Sequence, residues 1–141
     1  MKLSKNFALN KGNLPWPVIR GVVIQKFGTQ PHPVVKTAKI KSNGIIIATV
    51  NKEKVRTVFE GIVLSVLQFK GSNPTVLVQH GKYITAYKNL SKVYVKKGDK
   101  VFSNQNIGEV FTNNSTGKAT IQFSIFQNTT PINPLLWIIK M

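Results

Sequence analysis

The side chains able to do acid-base or metal chemistry are few: His32 and His80, and the carboxylates Glu53, Glu60, Asp99 and Glu109. The four carboxylates are scattered, with no pair at the spacing that general acid-base work needs. His32 sits in the loop Gln30-Pro31-His32-Pro33 and His80 at the hairpin end Gln79-His80-Gly81, and each reads as a surface or turn histidine before it reads as a metal ligand. The absence of cysteine excludes thiol nucleophiles, disulfides, thiolate zinc sites and iron-sulfur ligation. Two polar rows remain. Thr120, Gln122 and Ser124 alternate with Ile121, Phe123 and Ile125, while Tyr83, Thr85, Tyr87 and Asn89 alternate with Ile84 and Ala86. A period of two puts each row on one face of a strand, so the two rows are expected to form the walls of a groove.

Rows of this kind need a sheet to hold them. A chain of 141 residues, 42% apolar and 17% charged, suffices for one domain with a core and is too short for two ordinary ones. Strands are expected at Val18 to Ile24, Gly44 to Val50, Val55 to Phe59, Ile62 to Phe69, Thr75 to His80, Tyr83 to Ala86, Ile107 to Phe111, and Ala119 to Phe126. The pairs Glu60-Gly61 and Gly81-Lys82, and the triplet Lys97-Gly98-Asp99, supply turns. No helix-period pattern of useful length occurs, so the fold class is all-β, a barrel or sandwich of short strands. Residues 1–13 read as a polar lead-in and 14–141 as the domain. The prolines of Leu14-Pro15-Trp16-Pro17 leave an extended arm, with Trp16 expected to pack on the domain. The tail Pro131 to Trp137 has room for one helical turn.

The longest apolar stretch, Gly44 to Val50, falls far short of the ~20 residues of a bilayer-spanning helix. Met1 to Lys5 begins like a secretion signal, but Asn6, Asn10, Lys11 and Asn13 interrupt the apolar region that should follow, so no signal is expected in this chain. The net charge of +16 invites a nucleic-acid reading. Against it, only Arg20 and Arg56 carry the guanidinium fork that readers of bases and phosphates favour. Lysine, isoleucine and asparagine fill 45 of the 141 positions, which points to an AT-rich coding sequence. A specific nucleic-acid partner is therefore not expected, although anionic surfaces will still be attracted at low salt.

An ordered series of segments resembles the LytM-type, lysostaphin-like zinc endopeptidase domain over roughly residues 14 to 138. It comprises Leu14-Pro15-Trp16-Pro17, Phe27-Gly28, Asn43-Gly44-Ile45-Ile46-Ile47, Gln79-His80-Gly81, Tyr83 through Leu90, Val95 through Val101, Ile107-Gly108, and Asn133-Pro134 through Trp137. The resemblance implies an all-β barrel-sandwich of the duplicated hybrid motif type, with an open groove. Active members of that family hold zinc with a His-x-x-x-Asp pair and the second histidine of a His-x-His strand, and a further histidine assists at the attacked carbonyl. Here the corresponding positions are Ser42 and Ile46, Thr120 and Gln122, and Asn89. All five are substituted by residues that bind zinc poorly or not at all, or that shuttle no proton near neutral pH. Without zinc no bound water is acidified and no carbonyl is polarised, so neither metal nor other cofactor is expected and the domain reads as a non-catalytic relic of a peptidase.

Phe7 to Gly12 before Leu14-Pro15-Trp16-Pro17 looks most like the junction in EnvC-like murein hydrolase activators. That likeness implies a cell-wall N-acetylmuramoyl-L-alanine amidase as protein partner during cell separation, in the periplasm or cell envelope. It also implies control by the FtsE-FtsX complex through an upstream coiled coil missing from this chain, and contact with peptidoglycan. The groove residues by position are Asn43, Ile46, Tyr87, Asn89, Thr120, Gln122 and Phe126. Of the two aromatics, Tyr87 reads equally well as core or as contact, whereas Phe126 interrupts a polar face and is the better anchor. Three rivals are a zinc metalloendopeptidase with atypical ligands, a biotinyl-type carrier and a basic nucleic-acid barrel. The last two lack, respectively, a hairpin-tip lysine among small residues and aromatics interleaved with arginine.

Overall fold

The computed structural model of the chain describes residues 2–31 and 39–140, and His32 lies outside them. Thirteen strands are described: β1 (Val22–Gln25), β2 (Gly28–Pro31), β3 (Lys39–Ser42), β4 (Ile45–Thr49), β5 (Lys54–Arg56), β6 (Gly61–Leu67), β7 (Thr75–His80), β8 (Tyr83–Lys88), β9 (Leu90–Val93), β10 (Lys100–Val101), β11 (Asn106–Val110), β12 (Ala119–Gln127) and β13 (Thr130–Ile132). These strands pair antiparallel throughout, and one isolated parallel bridge joins Leu14 to Ile138. The large sheet runs β1-β4-β12-β8-β7-β6-β10, with β13 added to β12; β5-β11-β9 forms a second sheet and β2-β3 a ribbon. The described residues are thus all-β apart from one short helix and a single 3-10 turn, Pro134–Leu136, in the tail.

Register decides which side chains are covered. Ile121, Phe123 and Ile125 of β12 oppose Ile47 and Ile45 of β4, and Tyr87 and Thr85 of β8, and all of these are buried. Residues directly opposite share a face, so this is the inner face of the large sheet. Its side chains join Val55, Leu90, Ile107 and Val110 of the second sheet in one continuous core. Between the sheets the chain crosses at Asn89, whose φ of 78° is tolerated better by asparagine than by most residues. Gly44, just before β4, lies under Ser124 and the Phe123 carbonyl, so close that any Cβ there would collide with both.

The sequence offered no helix of useful length, but the polar lead-in contains one. Lys2–Leu9 forms a helix, α1. Eight residues make a marginal helix in water, and tertiary contact holds this one. Phe7 is fully buried and stacks against His80 and Tyr83 (4.8 Å each) and Trp137 (5.2 Å), with Phe59 edge-on at 5.6 Å. The Ser4 hydroxyl accepts from the Lys82 amide at 2.6 Å. Beyond α1 the arm clasps the tail: the amides of Gly12 and Leu14 donate to the Trp137 carbonyl, and the Trp16 indole donates to the Ile139 carbonyl at 2.7 Å.

Candidate functional site

On the outer face of the large sheet one row of direct cross-strand neighbours runs Gln25, Ile46, Gln122, Lys88, Thr75, Leu67. A second row, two residues along, brings Ser124, Ala86 and Leu77 together, and Phe126 opposes Ile84 beyond it. Two recesses open over these rows. The larger, about 600 Å³, has Leu67, Phe69, Leu77, Ala86 and Phe126 as its apolar side and Asn73, Thr75, Asn89, Lys88 and Gln122 as its polar side. The smaller, about 280 Å³, is lined by Gln25, Ser42, Asn43, Ile46, Ser124 and again Lys88 and Gln122. Lys88 and Gln122 therefore stand on the ridge where the two recesses meet.

The residues singled out from sequence fall here with one exception. Asn43, Ile46, Asn89, Gln122 and Phe126 line one recess or the other. Thr120 lies beside them: the Asn89 amide donates to its carbonyl at 2.8 Å and approaches its hydroxyl at 3.4 Å. Tyr87 is the exception. It points inward and is fully buried, because it pairs with Phe123 and Val76 and its register is fixed by those inner-face neighbours. Its phenol accepts from the Val58 amide at 3.0 Å and meets the Thr85 hydroxyl at 2.8 Å. The row Tyr83, Thr85, Tyr87 is therefore core, and the outer-face row of β8 is Ile84, Ala86, Lys88, of which Ala86 and Lys88 line the recesses. Alternation alone assigned β8 the wrong face. Lys88 was missed for that reason, although its place next to the inward-facing Tyr87 would have revealed it once the hairpin register was known.

His80 also differs from the sequence reading of a surface histidine. It is wholly buried, with Nδ1 2.7 Å from the Glu60 carbonyl and Nε2 2.9 Å from the Thr85 hydroxyl. A carbonyl oxygen only accepts, so Nδ1 carries the proton and Nε2 is the acceptor. Burial pushes its pKa down to about 4, against the opposing pull of the Glu60 carbonyl. Burial likewise raises the Tyr87 phenol above its usual range. Both groups are neutral fixtures of the core, remote from the outer face.

The zinc of an active peptidase does not fit the outer-face residues. The Ser42 hydroxyl is committed to the Gly44 carbonyl at 2.8 Å, and Ile46 has no donor atom. The Asn89 carbonyl oxygen accepts from Asn73 at 2.7 Å. Gln122 offers only a neutral amide, a weak donor to zinc, and its cross-strand neighbour is the cation Lys88, which repels a second cation. Among the described residues no three His, Asp or Glu side chains gather to hold a metal ion. Among the described residues the cleft presents apolar side chains, several amides and one ammonium.

Comparison with known proteins relates the chain to both peptidases and an activator. A profile described as peptidase family M23 matches residues 40–134. The peptidoglycan DD-endopeptidase ShyA of Vibrio cholerae is 32% identical over 108 residues, covering 74% of this chain and 24% of ShyA. The murein hydrolase activator EnvC of Escherichia coli is 25% identical over 129 residues, covering 91% of this chain and 29% of EnvC. The chain thus spans about a quarter of the length of each of these curated relatives. Among solved structures, a chain of the SpoIIQ-SpoIIIAH pore-forming complex superposes with a TM-score of 0.74 at 25% identity, covering 92% of this chain and 93% of that one.

Proposed function

The chain belongs to peptidase family M23, and from that premise we propose that it is a non-catalytic member acting through contact, as a murein hydrolase activator. Its partner is a cell-wall N-acetylmuramoyl-L-alanine amidase, bound during cell separation in the periplasm or cell envelope. The observation that carries this reading is the outer-face row itself. Where a peptidase of this family needs metal ligands, the row holds isoleucine and glutamine, next to a lysine. Similarity to the activator EnvC along 91% of the chain supports it, as does the fold shared with a protein solved in a complex with a partner. A groove with an exposed apolar wall suits a docked helix or extended segment, in which a few anchors dominate the energy.

The test adds the purified protein to amidase and dye-labelled murein. Release well above that of amidase alone, and none from this protein alone, is the expected result; no stimulation of any amidase of the source organism contradicts it. A second reading, peptidoglycan cleavage with atypical ligands, draws on the 32% identity to an endopeptidase. It predicts release by this protein without amidase. Control by FtsE-FtsX and direct contact with peptidoglycan remain parts of the proposal, testable by co-purification and by retention on isolated murein.

A further inference from the structure

Among the described residues Lys88 is the one charged residue that lines either recess, and neither lining contains a carboxylate. Its ladder neighbours Thr75 and Gln122 are neutral. The ion pairs among the described residues, Arg20 with Glu53 and Lys54 with Glu109, involve none of the lining residues. The ammonium is exposed and has no partner of opposite charge among the described residues. On one side of it lies the apolar wall, where Phe69 is 68% exposed and Phe126 half-buried. Leu67 stands two strands away in the same row, roughly 10 Å at the usual interstrand spacing.

Resting on the reading of this cleft as an amidase-docking surface, we propose that Lys88 recognises a carboxylate on the docking segment, and that this segment is an acidic, amphipathic stretch of the amidase. One carboxylate meets Lys88 while apolar side chains of the same segment cover Leu67, Phe69 and Phe126. The charge of +16 on the chain adds a long-range attraction that gathers an acidic partner. Complementary charge of this kind fixes register and raises the association rate. Murein stem peptides also carry carboxylates, but they have no large apolar side chain with which to cover the wall.

Binding of the full chain to purified amidase of the source organism, measured at low and high salt, tests the assignment. Lys88→Glu should weaken binding by about tenfold or more, Lys88→Arg should preserve most of it, and added salt should weaken wild type more than Lys88→Met. Lys97→Glu makes the same change of net charge at an exposed turn outside both recesses and should have little effect. Because Lys88 is exposed, melting temperatures of its variants should match wild type. Equal binding by wild type and Lys88→Glu overturns the carboxylate assignment and leaves the amidase reading standing. No binding of any amidase by wild type overturns both. Lys88-dependent retention on isolated murein, with no amidase bound, assigns the cleft to murein and overturns the proposed occupant.

Discussion

The two faces of β8 are made by alternate residues of one six-residue strand, and they are built on opposite plans. Inward, Tyr83, Thr85 and Tyr87 are buried and tied to His80, Val58 and Thr57, with Phe7 of α1 stacked over the end of the row. Outward, Ile84 opposes Phe126, and Ala86 and Lys88 line open recesses, where an ammonium and two aromatic rings stand unpaired or half-covered. Polar groups inside are satisfied within the fold, as burial demands. Those outside are available to another molecule. Stability and function are therefore separable on this strand, and substitutions on the two faces should fail in different ways.

The largest effect is expected inside. Phe7→Ala removes the ring that holds α1 against His80, Tyr83 and Trp137, and should cost about 3–5 kcal/mol, read as a large drop in denaturation midpoint. Equal stability of the variant would show α1 to be an ornament on the domain. Next comes pH. His80 is neutral in the folded protein down to a pKa of about 4, whereas the unfolded chain takes up the proton near 6.5. The unfolded state binds more protons in that window, so stability is fully present above pH 6.5 and falls as pH drops toward 4, by about 3 kcal/mol in all. Urea titrations at several pH values measure the slope, and His80→Gln should flatten it whatever its cost at neutral pH.

Tyr87→Phe leaves the Val58 amide without its acceptor and should cost about 1–3 kcal/mol. Amidase stimulation should be unchanged at temperatures where the variant is folded; lost stimulation would put Tyr87 back in the contact surface. The smallest effect on stability belongs to Phe126→Ala on the outer face, about 1 kcal/mol or less. This variant should nonetheless lose most of its stimulation of the amidase. A stable Phe126→Ala protein that activates like wild type would move the contact away from the apolar wall.

Much of this was legible in the sequence. Alternation in Ile121, Phe123, Ile125 gave the inner face of β12 directly, and prolines kept Leu14 to Pro17 out of any helix. The same alternation failed in β8, since its inward row is hydroxyl-bearing and its outward row partly apolar. Only pairing with Phe123 and Val76 reveals that the hydroxyls are answered inside the core. Likewise α1 has no helical signature of its own, because what holds it is a socket made by residues as distant as Trp137. The groove positions Ile46, Gln122, Asn89 and Phe126 came from a resemblance, and Lys88, which no family motif marks, emerged only from the register.

The central claim, that this cleft works by contact and not by metal chemistry, is tested most directly by counting zinc. Native mass measurement of the purified protein, after incubation with zinc and exhaustive dialysis, should find the bare chain as the dominant species. One tightly held zinc per chain, abolished by Gln122→Ala but not by Lys97→Glu, would contradict the account.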